Sequence, residues 1–149
     1  MRELSLNVMD VAQNSVRAQA SLVTISVEES DRDDYLQISV SDNGCGMTED
    51  QVQQVIDPFF TTRTTRKVGL GVPLFKLSAE QTGGSLEVAS RHKDSHPDNH
   101  GTEVTAVFHT DHIDCPPVGD LVATVTTLIQ GHPDTDFYFR HATGETEVE

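Results

Sequence analysis

The sequence lacks what would place it in a membrane, an oxidised scaffold or on a nucleic acid. Among its 149 residues no apolar run approaches the ~20 needed to cross a bilayer. Its first residues lack the basic-then-apolar order of a secretion signal. Two cysteines, Cys45 and Cys115, make no disulfide framework. Only 10 lysines and arginines stand against 24 aspartates and glutamates, and the net charge of −14 argues against a nucleic-acid-binding surface. These deficits predict a soluble, cytoplasmic chain of one domain, long enough for a real core. The scarcity of cations makes their placement informative. Arg63, Arg66, Lys67 and Lys76 crowd into one short window, which is where a polyanion would bind.

What is present is organised around residues 41–47, Ser-Asp-Asn-Gly-Cys-Gly-Met. They follow a stretch in which Leu36, Ile38 and Val40 alternate with polar residues, the period of a half-buried strand. Asp42 therefore sits at a strand's end, ahead of two glycines that let a ligand approach the backbone with no Cβ in the way. A carboxylate accepts hydrogen bonds and cannot donate them, so Asp42 suits a donor such as the exocyclic amine of adenine. The same residues also suit an ordinary turn.

Residues 2–19 read as a helix, with Leu4, Val8, Val11, Ala12 and Val16 on one face and Asn7, Asp10, Asn14 and Arg17 opposite. Asparagine and aspartate are poor interior helix formers, so the polar stripe is either a wet face or one aimed at a ligand. In the second case Asn14 offers a neutral oxygen to a hard cation such as magnesium, Arg17 reaches a phosphate, and Asp10 orients or deprotonates a water. Strands are expected at 21–29 and 35–41, paired with each other, and at 85–91 and 102–109. Thr48 and Gln51 form a capping box for a short helix over 49–56. A helix runs from the glycines Gly69 and Gly71 to about Gln81, and a glycine-rich helix entry suits phosphate. His92, His96 and His100 have the four-residue spacing of metal ligands on a helix, but Pro97 and Asn99 argue for an exposed hairpin loop. Beyond residue 110, a helix over 120–130, with Leu121, Val122, Val125, Leu128 and Ile129 on one face, precedes a terminal hairpin.

Taken in order, four stretches resemble the superfamily that includes gyrase, the heat-shock chaperone ATPases, mismatch-repair ATPases and histidine kinases. Asp10-Val-Ala-Gln-Asn14-Ser-Val-Arg17 resembles its N box, and Asp42-x-Gly44-x-Gly46 its first glycine box. Asp57-Pro-Phe-Phe-Thr-Thr-Arg63 resembles the F box of histidine kinases, and Lys67-Val-Gly69-Leu-Gly71 the second glycine box. Gly101-Thr102 resembles a later Gly-Thr. The likeness covers roughly residues 3–109, and Pro-Phe-Phe-Thr-Thr points to the histidine-kinase branch.

The resemblance implies an α+β fold, a two-layer sandwich of the Bergerat ATP-binding type, with a mixed, mostly antiparallel sheet and helices on one face. It implies ATP and Mg2+ as cofactors. Asn14 maps to the magnesium ligand, Asp42 to the acceptor for the adenine amine, and Gly44, Gly46 and Met47 to the base-pocket turn. Arg17, Lys67, Gly69, Leu70 and Gly71 map near the phosphates. Phe59, Thr62 and Thr102 complete the nucleotide-binding set, and Asp10 takes the catalytic position. Residues 1–110 are expected to form this core and 111–149 an extension packed on the same domain, supplying a sheet-edge strand and a helix.

The sequence also departs from the family pattern. The first helix begins at the N-terminus and no histidine precedes His92, so a phosphoacceptor histidine is expected on another chain. Asp10 is one methylene shorter than the glutamate of the water-activating branches. Three activities follow as expectations: a module phosphorylating or regulating a partner protein in trans, an ATP-gated binding module without catalysis, or an ATPase hydrolysing through Asp10. No nucleic-acid or membrane partner is expected.

Overall fold

The structure, a computed structural model, describes residues 4–30, 34–55, 71–111, 119–143 and 146–148. In chain order these form α1 (Leu4–Arg17), β1 (Leu22–Ser30), β2 (Tyr35–Asp42), α2 (Glu49–Val55), α3 (Gly71–Gln81), β3 (Ser85–Arg91), β4 (Gly101–His109), α4 (Leu121–Gly131), β5 (Asp136–Thr143) and β6 (Thr146–Val148).

Alternation of apolar and polar residues builds the sheet. Each strand presents one apolar face because successive side chains point to opposite sides. The strands assemble in the order β3-β4-β2-β1-β5-β6. The register aligns the apolar faces. Ile25 lies opposite Val40, Leu36 opposite Phe108, Ile38 opposite Ala106, and Leu86 opposite Ala106 on its other side. Among the described residues all pairings are antiparallel except β1 with β5, which is parallel.

The aligned face is covered by helices. Helix α1 packs against both α3 and α4. Phe75 of α3 meets Phe108 of β4 with ring centroids 5.7 Å apart, and both rings are fully buried. Burying such a ring contributes about 1.5–3 kcal/mol. The opposite face stays polar, with Ser39 and Thr105 hydroxyls 3.4 Å apart across β2 and β4. The fold is thus the expected α+β two-layer sandwich.

Helix boundaries follow local chemistry. Thr48 N–H donates to Gln51 Oε1 at 2.9 Å and Gln51 N–H to Thr48 Oγ1 at 3.3 Å, the reciprocal capping box that opens α2. Asp120 caps α4 by accepting the Ala123 N–H at 3.0 Å. Past the end of α3, Gly84 N–H returns to the Ala79 carbonyl at 3.0 Å.

Two details differ from the sequence reading. Asn7, placed with the polar stripe, is buried at 1 % exposure among the core residues. On α4, Leu121, Thr124, Val125 and Leu128 face inward, while Val122 and Ile129 are 67 % and 49 % exposed. The buried stripe is rotated toward the sheet because β5 lies beside β1 and draws α4 over Phe139. Beyond α4 the tail forms the terminal hairpin, in which β5 is interior to the sheet and the short β6 lies at its edge.

Candidate functional site

Period-two geometry fixes the first functional group. Leu36, Ile38 and Val40 point into the helical layer, so Asp42, two residues on, points the same way at the strand's end. There it is half-buried, no longer covered by apolar side chains. Its Oδ1 accepts the Gly44 N–H at 2.8 Å, which bends the chain into the glycine turn.

The register lines up two hydroxyls beside it. Thr102 pairs with Asp42 across β2 and β4, and Ser90 pairs with Thr102 across β4 and β3. A row Asp42, Thr102, Ser90 thus runs across three strands on the helix-bearing face. Ser90 Oγ and Thr102 Oγ1 are 2.7 Å apart, and Ser90 Oγ accepts the Met47 N–H at 2.7 Å.

The glycine turn is gripped from both sides. On one side the Cys45 N–H donates to the Ala18 carbonyl at 2.9 Å, joining the turn to the end of α1. Gly44 is wedged there: a Cβ on it would lie 2.9 Å from Ala18 Cβ and 3.1 Å from Asp42 Oδ1. On the other side the β3–β4 loop holds it. Lys93 N–H donates to the Cys45 carbonyl at 2.8 Å, and His100 Nδ1 hydrogen-bonds the Gly44 carbonyl. Gly46 has φ 73°, and a Cβ on it would overlap the Arg91 carbonyl, so only glycine fits. Asn43, a plain turn residue in the sequence, staples the turn to β1. Its Oδ1 accepts the Ser21 and Leu22 N–H groups at 2.8 and 3.0 Å.

Helix α1 supplies the second half. Asn14 lies four residues before Ala18, on the same helical face and about 6 Å along the axis. Asp10 lies a further turn away. Both are half-buried at the margin between core and solvent. Arg17 is exposed, and its Nη1 donates to Asn14 Oδ1 at 3.4 Å, a long bond that is easily exchanged. One strip therefore leads from the turn at Gly44 past Ala18 to Asn14 and Asp10. Asp42, Gly44, Gly46, Met47 and Thr102 are in one corner, with Asn14 and Asp10 along the adjoining helix. Gly71 begins α3. Phe59, Thr62, Lys67, Gly69 and Leu70 lie outside the described residues, as do Arg63 and Arg66.

The three loop histidines do not share a helix face. Residues 92–100 form a turn-rich loop in which His92 Nδ1 accepts the Asp94 N–H at 3.1 Å, His96 Nδ1 meets Ser95 Oγ at 2.9 Å, and His100 contacts Gly44. A groove of about 350 Å³ between the start of α4 and β5, lined by Asp120, Leu121, Val122, Phe139 and His141, shares none of the residues of this corner.

Sequence reasoning missed Ser90, Asn43 and His100 as parts of this corner. Ser90 was within reach, since Leu86 and Val88 precede it at period two. The other two depend on contacts between segments distant in sequence.

The family described as histidine kinase-, DNA gyrase B- and HSP90-like ATPase matches residues 2–112. The sensor histidine kinase ZraS of Escherichia coli (strain K12) is 36 % identical over 78 residues, 52 % of this chain and 17 % of its own length. A probable C4-dicarboxylate sensor kinase of Bacillus subtilis (strain 168) is 33 % identical over 94 residues, 63 % of this chain and 16 % of its own. The chain thus spans about one sixth of these relatives. Among solved structures, the Aquifex aeolicus MutL ATPase domain complexed with ADP superposes with a TM-score of 0.60 at 16 % identity, over 100 % of this chain and 63 % of that one.

Proposed function

Because the chain belongs to the histidine kinase-, DNA gyrase B- and HSP90-like ATPase family, we propose that the corner at Asp42 takes the adenine of Mg-ATP and that the terminal phosphoryl group passes to a partner protein in trans. The chain is an ATP-binding module of the histidine kinase type. The observation that carries the detailed reading is the wedge of Gly44 between Asp42 and the end of α1, which joins the base-reading carboxylate to the helix bearing Asn14.

In this reading Asp42 spends one oxygen on the Gly44 N–H and keeps lone pairs for the adenine amine. Gly44, Gly46 and Met47 shape the floor under the base. Magnesium takes one or two protein oxygens and completes its shell with phosphates and water. A strip offering one neutral Asn14 oxygen fits that demand, and the bound ion would offset triphosphate charge. Arg17 gives up its long bond to Asn14 for a phosphate oxygen. Lys67, Gly69, Leu70 and Gly71 are assigned to the phosphates, with Phe59 and Thr62 beside them, on resemblance. At a net charge of −14 the protein repels a polyanion unless cations are concentrated at the phosphates. Phosphoryl transfer then needs mainly positioning and charge stabilisation.

Transfer in trans fits the use made of three of the seven histidines, all among the described residues. His100 holds the Gly44 carbonyl, His132 Nε2 pairs with Gln13 Oε1 at 3.0 Å, and His141 Nε2 with Glu29 Oε2 at 3.0 Å. These are architectural contacts. A second reading, hydrolysis, draws on Asp10, half-buried one turn from Asn14.

Incubation with γ-labelled ATP, magnesium and candidate partner proteins tests the proposal. Label on a partner side chain is the expected result. Free phosphate that disappears in Asp10→Asn indicates hydrolysis, and ATP retained intact indicates nucleotide-gated binding. No nucleotide binding at all overturns the assignment.

A further inference from the structure

Ser90 lies outside the family motifs, yet its hydroxyl joins three polar groups, the Met47 N–H, the Thr102 hydroxyl and the Gly101 carbonyl. Its hydroxyl carries one proton and two lone pairs. One lone pair takes the Met47 N–H at 2.7 Å. The proton has two acceptors in reach, Thr102 Oγ1 at 2.7 Å and the Gly101 carbonyl at 3.2 Å. Two arrangements follow. In the first, Thr102 donates to Ser90 and Ser90 to Gly101, so Thr102 shows only lone pairs to the pocket. In the second, Ser90 donates to Thr102, and the Thr102 proton is free to point at a ligand.

The difference matters because Thr102 is directly opposite Asp42, with Cβ atoms about 4.5–5.5 Å apart, a spacing at which both can address one base edge directly or through a water. On that edge adenine offers a donor amine beside an acceptor, ring N1. Guanine offers the reverse, a carbonyl acceptor beside a donor N1–H. Asp42 can only accept, so it matches the adenine amine. The matching partner for N1 must donate, which is the second arrangement.

Resting on the reading of this corner as an adenine pocket, we infer that Ser90 is a positioning residue, which by donating to Thr102 Oγ1 holds the Thr102 proton toward ring N1 of the base. The chain of bonds runs from Met47 N–H to Ser90, from Ser90 to Thr102, and from Thr102 to the base, each donor polarised by the one before it. Without a base the first arrangement makes two bonds inside the protein. An adenine N1 supplies the acceptor that tips the proton the other way, while guanine is disfavoured at Asp42, where its carbonyl would meet a second acceptor. The glycine turn thereby reports its position to the base, since the Met47 N–H anchors both.

Equilibrium binding of ATP, GTP and 1-deaza-ATP, in which N1 is replaced by a carbon, tests this on the unaltered protein, Ser90→Ala, Ser90→Thr and Thr102→Val. Ser90→Ala is expected to weaken ATP about tenfold and to leave 1-deaza-ATP unchanged, because the bond that it supports is already missing from that ligand. Ser90→Thr keeps the hydroxyl and restores ATP binding, and Thr102→Val equalises ATP with 1-deaza-ATP. If Ser90→Ala weakens ATP and 1-deaza-ATP by the same factor, Ser90 merely supports the turn and the inference is overturned. An unchanged ATP affinity overturns it as well. Failure of the unaltered protein to bind any of the three nucleotides overturns the pocket itself, an outcome distinct from the others.

Discussion

The carbonyl of Ala18, at the end of α1, accepts the backbone N–H of Cys45 at 2.9 Å. That bond fastens the helix carrying Asn14 and Asp10 to the turn carrying Gly44, and Gly44 in turn is fastened to Asp42. Displacement of the helix end would therefore move the two halves of the pocket apart.

Gly44→Ala tests this coupling. A Cβ there would sit 2.7 Å from the Ala18 carbonyl oxygen, closer than van der Waals contact allows. Relief requires the turn to part from α1, stretching the Ala18–Cys45 bond. Overpacking of this kind costs about 1–3 kcal/mol. A thermal melt should show a lower Tm, and titration calorimetry a loss of ATP binding larger than the stability change explains. Unimpaired ATP affinity would show that the helix and turn need not stay in register.

Asp42→Asn separates folding from base recognition. An asparagine Oδ1 can still accept the Gly44 N–H, so the turn and the Tm should be preserved. The other carboxylate oxygen becomes an NH2 that cannot accept the adenine amine. ATP affinity should fall by about tenfold or more, as expected when a polar group is left mismatched, with GTP less affected. Equal loss for both nucleotides counts against a base-reading role.

Asn14→Ala removes the neutral oxygen assigned to magnesium. ATP binding should lose its magnesium dependence, with affinity in magnesium falling toward that measured in EDTA. Retained magnesium dependence in calorimetry would move the metal to another group.

Asn7→Leu should stabilise the protein. Neither Nδ2 nor Oδ1 of this 1 % exposed side chain has a hydrogen-bond partner among the described residues. Burying an unsatisfied polar group costs about 1–3 kcal/mol, and leucine has the same branching and number of side-chain heavy atoms without that penalty. Chemical denaturation should show a higher midpoint at unchanged slope. A lower midpoint would indicate that Asn7 makes polar contacts in solution.

Much of the architecture is legible in the chain alone. The strands announce themselves through period-two alternation, and the same alternation, extended two residues past Val40, puts Asp42 on the face of the core. Thr48 and Gln51 state where α2 begins. The wet and dry margins of α1 are less clear, because a helix face that is one-third polar can be rotated by a single residue. That rotation buried Asn7 and left Asp10 and Asn14 at the rim.

Sequence by itself therefore determined the local units: which segments are helix or strand, where glycines permit a tight turn, and which side chains share a strand face. These follow from backbone geometry, which repeats every 2 or 3.6 residues and needs no distant partner. Only the tertiary structure decided that Ser90 meets Thr102 and Met47, that His100 reaches Gly44, and that β5 enters beside β1 as the one parallel neighbour. Those contacts join segments tens of residues apart. They depend on sheet register and on the competition among all segments for one core, a choice that short-range pattern does not carry.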